Sequence, residues 1–485
     1  MSEFIYDLRL RGLVVFGAGV SGSAIVRAAR KFDIPVTIID EKLETLLTDE
    51  SENEVKKNLE SISGNPLCII SPGWKKDHPL VMEASEKSWE LIGEIDFAWR
   101  LKEELAPHQK WVGVTGTNGK TTTVQMVESI FSASGINGIA CGNVGVAAVD
   151  VVIHEPPYDL LAVELSSFQI EWMSEAKCEA VAILNIAPDH VDWHGSFEAY
   201  RDTKFSLADH AHTVIVNRDD ATINEYLSMI AHRNNSAEKF VSFTLGIPGP
   251  GEVGLVEEVL VDRAFVASAE HASALGELKD VKPLAPHNVL NALAAGSLAL
   301  AVGSESRSGF SITPESVNEG IKNFTVDKHR LELISRINQI SWIDDSKATN
   351  PHAAAAALRS FHNVIWIAGG LAKGAQMDEL VDSVGSRIKC AILIGTDKEV
   401  IAVEISAKYP NTPIVRVGDG VRGLELMRLV VSAAHEKAEA GDTVLLAPAC
   451  ASMDQFASYA DRGDCFAAAV REIVGDLIEE VIDAS

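Results

Sequence analysis

No CxxC pair occurs anywhere in the 485 residues, and the six cysteines (Cys68, Cys141, Cys178, Cys390, Cys450 and Cys465) are scattered along the chain. That spacing argues against a zinc site or a disulfide framework and fits thiols kept reduced in a cytoplasm. Long apolar runs are missing too. The opening MSEFIYDLRLRG lacks the hydrophobic stretch of a secretion signal. Residues 289–302, among the longest apolar stretches, are interrupted by Asn, Gly and Ser and are too short to span a bilayer. Basic residues are outnumbered, 42 Lys and Arg against 69 Asp and Glu, which leaves a formal net charge of −27. Such a surface repels nucleic-acid phosphates and anionic lipid, so neither nucleic acid nor membrane is expected as a partner. Most of this charge serves solubility. There is no internal repeat and no low-complexity tract.

What is present is the composition of a soluble globular protein, 47% hydrophobic and 23% charged. The length exceeds what one core supports, so two or three domains are expected. Three short apolar runs, Leu13–Phe16, residues 111–114 and residues 364–367, each lead through a small or glycine-rich turn into a helix-like segment. Strands alternating with helices in this way indicate parallel sheets and an α/β fold. Ala106-Pro107-His108 breaks a charged helical segment and reads as a first linker. A second boundary is expected at 326–329, after a helix opened by Thr313 and Pro314. Domains over 1–106, 107–326 and 327–485 follow. Pro248-Gly249-Pro250-Gly251 reads as a surface turn, and Asn350-Pro351 as the start of an alanine-rich helix.

Gly17-Ala18-Gly19-Val20-Ser21-Gly22 is a GxGxxG between a strand and a helix, and Asp40 ends the next strand, Val36–Ile39. Backbone amides at such a helix start receive phosphate, and the acid reaches a ribose or base. By itself the turn is compatible with NAD, with another nucleotide, or with no ligand.

Thr115-Gly116-Thr117-Asn118-Gly119-Lys120-Thr121-Thr122 carries more information. Its glycines let the backbone close around phosphate oxygens, the Lys120 ammonium neutralises β/γ-phosphate charge, and the Thr121 hydroxyl can ligate Mg²⁺. The generic phosphate-loop pattern wants glycine at 114, where this chain has Val114. With that displaced glycine, TGTNGKTT resembles the ATP loop of the Mur ligases and the folylpolyglutamate synthetases.

The rest of the chain extends the resemblance to Mur ligases. The fold it implies is α/β in three domains: N-terminal Rossmann-like, a central P-loop ATPase-like parallel sheet, and C-terminal Rossmann-like. The strand at 160–163 ends at Glu164 in an ELSSFQ segment, and the strand at 180–184 leads through Asn185 to Asp189-His190. Both are similar to family segments that ligate two Mg²⁺ ions, which implies Thr121, Glu164, His190 and Lys204 as metal ligands, Lys204 as a carbamate. Read alone, Lys204 is a helix-surface lysine. The chemistry is nonetheless sound, because an ammonium repels Mg²⁺ and a carbamate can bind it. Asn288 and Asn291, in His287-Asn288-Val289-Leu290-Asn291-Ala292, resemble the adenine-facing asparagines. Arg330, after His329, resembles an arginine that swings onto the γ-phosphate when residues 325–329 hinge, and Asp345 joins the ATP-binding set.

The family uses its first glycine turn for a UDP-linked substrate. Val20, Ser21, Asp40, Glu41, Ser71, Gly73, Asn143 and His190 fall on those positions, with Ser71-Pro72-Gly73 and Gly142-Asn143-Val144-Gly145 as the matching loops. In the last third, Asp345-Ser346-Lys347-Ala348-Thr349-Asn350 and Ala447-Pro448-Ala449-Cys450-Ala451-Ser452-Met453-Asp454-Gln455-Phe456 are similar to the branch that adds D-glutamate. Thr349, Lys373, Ser452, Met453 and Tyr459 are thereby implied to hold that amino acid. Lys373 suits a substrate with two carboxylates. The acidic residue many relatives carry just before that lysine is replaced here by Leu371-Ala372.

The resemblance implies a monomeric, cytoplasmic ligase that consumes ATP with two Mg²⁺. It would join D-glutamate to UDP-N-acetylmuramoyl-L-alanine through an acyl phosphate, for peptidoglycan precursor synthesis. Lys120, Lys204, His190 and Arg330 would carry the chemistry. A folylpolyglutamate synthetase shares the phosphate loop but not the first glycine turn. A GTPase-like switch would carry an Asn-Lys-x-Asp motif, which is absent. A dehydrogenase rests on the first turn alone.

Overall fold

A computed structural model describes residues 3–42, 45–48, 51–230, 239–304, 309–418, 420–475 and 477–478. The chain forms two compact units, Met1–Leu284 with Asn288–Phe324, and Ala285–His287 with Thr325–Ser485. Among the described residues no helix is long and apolar enough to cross a membrane.

The first unit holds two sheets. One is built from β1 (Leu13–Phe16), β2 (Val36–Ile39), β3 (Thr45–Thr48), β4 (Ser51–Lys56), β5 (Leu67–Ile70) and β6 (Glu90–Gly93), in the order β3-β4-β2-β1-β5-β6. Every neighbouring pair is parallel except the β3–β4 hairpin. A parallel strand is covered on both faces, and β1 shows why Leu-Val-Val-Phe suits it. Leu13 and Val15 enter one apolar cluster and Val14 and Phe16 the opposite one, all of them buried.

The second sheet comprises β7 (Lys110–Thr115), β8 (Gly138–Gly142), β9 (Leu160–Glu164), β10 (Cys178–Ile183), β11 (Ala211–Asn217), β12 (Lys239–Phe243), β13 (Glu252–Val256), β14 (Val259–Asp262) and β15 (Ser273–Glu277). Its order is β15-β14-β13-β12-β11-β10-β7-β9-β8, parallel from β8 to β13 and antiparallel beyond. Strand β7 sits between β9 and β10, and the chain leaves it through the phosphate loop. A parallel sheet gathers its ligands at such a point, beyond the carboxyl ends of the strands. One apolar cluster runs from Leu13 of the first sheet and Phe97 of the helix Glu94–Leu105 to Trp111 and Val181 of the second sheet. Trp99 and Trp111 meet edge to face across Ala106, which is itself buried.

The second unit carries β16 (Glu332–Ile337), β17 (Ile340–Asp344), β18 (Val364–Gly369), β19 (Ile388–Ile394), β20 (Ile414–Arg416) and β21 (Thr443–Leu446), ordered β16-β17-β21-β18-β19-β20. Only β16–β17 is antiparallel. Val364, Trp366 and Ala368 face one core, and Ile365 and Ile367 the other. The alanine-rich helix is Pro351–Arg359, capped by the Asn350 side chain on the Ala353 N–H at 2.8 Å. These sheets establish the α/β class expected from the sequence.

Glycines in the first turn differ in what they permit. A Cβ at Gly22 would collide with the Gly17 carbonyl oxygen, whereas Gly19 has open space and an ordinary φ of −74°. Gly22→Ala is therefore expected to cost about 1–3 kcal/mol by overpacking, which outweighs the roughly 1 kcal/mol that alanine gains over glycine in a helix. Gly19→Ala should leave thermal unfolding close to wild type. Equal midpoints for the two variants would contradict this reading.

Candidate functional site

The phosphate loop joins β7 to the helix Lys120–Ala133. Gly119 precedes that helix at φ 87°, in the left-handed region, and a Cβ there would strike the Asn291 Oδ1. The loop is clamped from β10: the Asn118 N–H donates to the Asn185 Oδ1 at 2.8 Å, and the Asn185 Nδ2 returns a bond to the Asn118 carbonyl at 3.0 Å. The Thr117 hydroxyl lies 3.0 Å from the Tyr200 hydroxyl, and the Ala187 N–H donates to it at 3.0 Å.

Two lysines converge on one carbonyl. The Lys120 Nζ donates to the oxygens of Gly116 and Thr117, both at 3.0 Å. The Lys204 Nζ donates to the same Gly116 oxygen at 3.0 Å and to the Thr115 Oγ1 at 3.3 Å. The Lys204 side chain is buried, so the surface placement that its helical context suggests does not hold. Burial, then the charge of Lys120, drives its pKa well below the ordinary lysine value, against the opposing pull of Asp189 and Glu164.

Glu164 ends β9, fully buried. Its Oε1 accepts from the Asn143 Nδ2 at 3.0 Å, and its Oε2 has no hydrogen-bond partner. A buried carboxylate oxygen left open is costly unless something else occupies it. An oxygen ligand left open in this way is of the kind that hard cations take. His190 adopts a left-handed φ of 50°, and its imidazole lies 3.7 Å from the Asp189 carboxylate. Burial lowers its pKa, against the pull of Asp189 and with the help of Lys120 and Lys204, which favours the neutral ring. Asn288 and Asn291 are buried near the loop, the Asn288 Nδ2 donating to the Pro283 carbonyl at 3.0 Å.

The first glycine turn is braced by Asp40, whose carboxylate accepts the N–H of Ala18 at 3.0 Å and of Lys42 at 2.8 Å. Ser71 reaches the turn through its N–H to the Phe16 oxygen at 3.0 Å and its hydroxyl to the Gly17 oxygen at 3.4 Å. Val20 stands exposed beside it, and Glu41 faces His78 at 3.6 Å. The stretch after Gly73 then touches the central segments. The Trp172 Nε1 donates to the Trp74 carbonyl at 2.9 Å, and the Lys75 Nζ to the Asp192 carbonyl at 3.3 Å.

In the second unit, the candidate D-glutamate residues lie at the carboxyl ends of β17, β18 and β21. Leu371 and Ala451 exchange backbone hydrogen bonds at 2.9 and 3.0 Å, which draws the Lys373 loop to the Ser452–Met453 loop. The Cβ that any other residue would carry at Gly370 would meet the Ala451 carbonyl. The Lys347 ammonium lies 3.8 Å from the Tyr459 ring centroid, and the Ser346 hydroxyl donates to the Tyr459 carbonyl at 2.7 Å, bringing Tyr459 to the Thr349 segment. Ser452 is buried and Met453 exposed. Near the departure at 371–372, the Asp397 Oδ2 accepts the Ala372 N–H at 2.8 Å.

Arg330 is presented between two residues with left-handed backbones, His329 at φ 65° and Leu331 at φ 49°. Asp345 holds the Leu331 N–H at 3.2 Å, and burial raises its pKa to about 7. Sequence reading passed over Asn185 as a loop clamp, along with Tyr200, Asp344 and Asp397. For Tyr200 a signal existed, since it precedes Lys204 by four residues and so shares its helix face.

A strand, glycine loop and helix bearing Gly-Lys-Thr at the switch point of a parallel sheet define a nucleoside-triphosphate-binding enzyme domain. The family model for the Mur ligase middle domain matches residues 114–299, and that for the Mur ligase glutamate ligase domain matches residues 329–450. UDP-N-acetylmuramoylalanine--D-glutamate ligase of Thermobifida fusca is 42% identical over 97% of this chain and 100% of its own. The enzyme of that name from Streptomyces coelicolor is 41% identical, over 95% and 98%. Among solved structures, UDP-N-acetylmuramate-alanine ligase MurC of Thermotoga maritima aligns with a TM-score of 0.56 at 15% identity, covering 95% of this chain and 99% of that one. The chain belongs to the Mur ligase family.

His329 gives a pH-dependent signature. Its Nδ1 lies 2.6 Å from the buried Asp344 carboxylate, which raises its pKa mainly through that hydrogen bond, against burial. A raised imidazole pKa adds stability that is fully present below its ordinary value of about 6.5 and is lost as pH rises through the folded-state value. The thermal midpoint of wild type should exceed that of His329→Gln by most below that pH, with the gap closing in alkali. A gap that widens with pH would contradict the pairing.

Proposed function

We propose that this chain joins D-glutamate to UDP-N-acetylmuramoyl-L-alanine at the expense of ATP, as a step of peptidoglycan precursor synthesis. The observation that carries the substrate choice is 42% identity along 97% of the chain with a relative of that name. The chemistry is supported by Lys120, Lys204 and Glu164 gathered at one end of the parallel sheet.

In this reading the alanine carboxylate oxygen attacks the γ-phosphorus and ADP leaves, giving an acyl phosphate. The D-glutamate amine then attacks the acyl carbon, and phosphate departs as the amide forms with loss of a proton. Residues Thr115 to Thr122 cradle the polyphosphate through backbone amides, and Lys120 and Arg330 offset the charge that develops on the transferred group. Asn288 and Asn291 serve the adenine. Val20, Ser21, Asp40, Glu41, Ser71, Gly73, Asn143 and His190 hold the uridine-linked substrate. Thr349, Lys373, Ser452, Met453 and Tyr459 hold D-glutamate, with the lysine countering a carboxylate. Thr121, Glu164, His190 and Lys204 as its carbamate would hold two Mg²⁺, which supply charge neutralisation at the phosphoryl oxygens when bound. The working division is 1–106 for the uridine-linked substrate, 107–326 for ATP and 327–485 for D-glutamate, in a cytoplasmic monomer.

Phosphate release by the purified chain should require ATP, UDP-N-acetylmuramoyl-L-alanine and D-glutamate together. Release indifferent to either acceptor would sink the assignment. Lys120→Ala should lower kcat by about 10²-fold or more, as does loss of a preorganised group at a developing anion. Lys204→Arg keeps a long basic side chain but forms no carbamate, and should cost more than the ~10–100-fold typical of losing a ligand's outer partner. Near-normal turnover in that variant would reject the metal-bridging role.

A further inference from the structure

Glu94 opens the helix Glu94–Leu105 directly after β6, buried and outside every motif that the sequence offers. The proposed reaction makes no use of it. Its Oε1 accepts from the Gln169 Nε2, across 75 residues of sequence. The hydroxyl of Ser21, in the first turn of the helix Val20–Lys31, faces the same carboxyl, while Oε2 lacks a partner that meets hydrogen-bond geometry. Gln169 is itself fixed, because its Oε1 accepts from the N–H and the hydroxyl of Ser166 at 2.9 and 3.0 Å. Ser166 lies two residues beyond Glu164. The approach is made possible by Gly93, where a Cβ would sit 2.8 Å from the Trp172 Cβ and 2.9 Å from its carbonyl.

A carboxyl in this position is expensive. Burial raises its pKa, and the groups that oppose this, Ser21 and Gln169, are neutral. An apolar residue of similar size would avoid the desolvation penalty, so the acid serves something other than packing. The two side chains it joins lie on helices that follow strands of different sheets, Ser21 after β1 and Gln169 after β9. One lies on the glycine turn read as the uridine-linked substrate site, and the other on the segment that follows the candidate metal ligand.

We propose that Glu94 is a positioning residue for the uridine-linked substrate, setting Ser21 and Gln169 relative to one another and steadying the turn beyond Glu164. The inference rests on the functional reading above. Loss of this carboxyl weakens binding of UDP-N-acetylmuramoyl-L-alanine without touching the ATP loop.

The test compares wild type, Glu94→Ala, Glu94→Gln and Gln169→Ala by calorimetric titration with UDP-N-acetylmuramoyl-L-alanine and by steady-state kinetics. Glu94→Ala should weaken that affinity, and raise the matching KM, by about tenfold or more, the scale of a lost hydrogen bond to an ionisable group, with the KM for ATP unchanged. Glu94→Gln keeps the oxygen that accepts from Gln169 and should restore most of the loss. Gln169→Ala should reproduce the defect, and keeps the test alive if Glu94→Ala does not fold. A purely structural Glu94 would lower the melting temperature while leaving affinity and KM at wild-type values, which would overturn the proposal. So would wild-type protein that does not bind the nucleotide. Wild type that binds it but turns nothing over would instead sink the functional reading, and the affinity comparison would still decide the role of Glu94.

Discussion

Two ammonium groups share the carbonyl oxygen of Gly116, and the rest of the site is arranged around that crowding. Since the Lys120 and Lys204 nitrogens each lie 3.0 Å from the same oxygen, they are at most twice that far apart. Like charges about 6 Å apart repel by roughly 3 kcal/mol at the effective dielectric usual for protein sites. Lys120 is held at the helix start by its place in the loop, so the strain falls on the buried partner. Lys204 yields, its pKa driven down by burial and by Lys120. In the proposed chemistry the lowered pKa favours reaction of the Lys204 amine with CO₂, and the carbamate would turn a cation that repels metal into an anion that binds it. The proposed carbamate would answer burial, repulsion and the orphaned oxygen of Glu164 together.

The surroundings hold this arrangement rigid. Asn185 and Tyr200 pin the loop from β10 and from the helix Phe197–Ser206. Asn143 fixes the other oxygen of Glu164. The second unit follows the same logic with a different cation. Arg462 is buried, its guanidinium donating to the Ser346 hydroxyl at 3.0 Å, the Ser346 carbonyl at 2.9 Å and the Cys450 carbonyl at 3.2 Å. It ties together the Ser346 and Cys450 segments, which carry side chains proposed to hold D-glutamate. All three acceptors are neutral, and burial lowers its pKa to about 10. Five donors in a planar fork suit this work, which a lysine would not perform.

Sequence carried the parts of this account that are local. A strand, a glycine turn and a helix are contiguous, so TGTNGKTT and the first GxGxxG could be placed before any fold was known. The same holds for Asn350-Pro351 as a helix start, because a cap and its helix are neighbours. Functions that depend on long-range juxtaposition were not legible. Glu94 meets Gln169 across 75 residues, and Asp397 reaches Ala372 across 25. Asp344 shows its role only when His329 is folded against it. Lys204 is the instructive case, because its helix looks amphipathic and solvated. Its burial comes from packing against the phosphate loop, which no periodicity reveals.

Carbon NMR reads the chemical state of Lys204 most directly. Protein equilibrated with ¹³C-labelled bicarbonate should show a carbamate resonance in wild type that is lost in Lys204→Arg. A fully active wild-type enzyme with no such resonance, or a resonance that persists in the variant, would contradict the account.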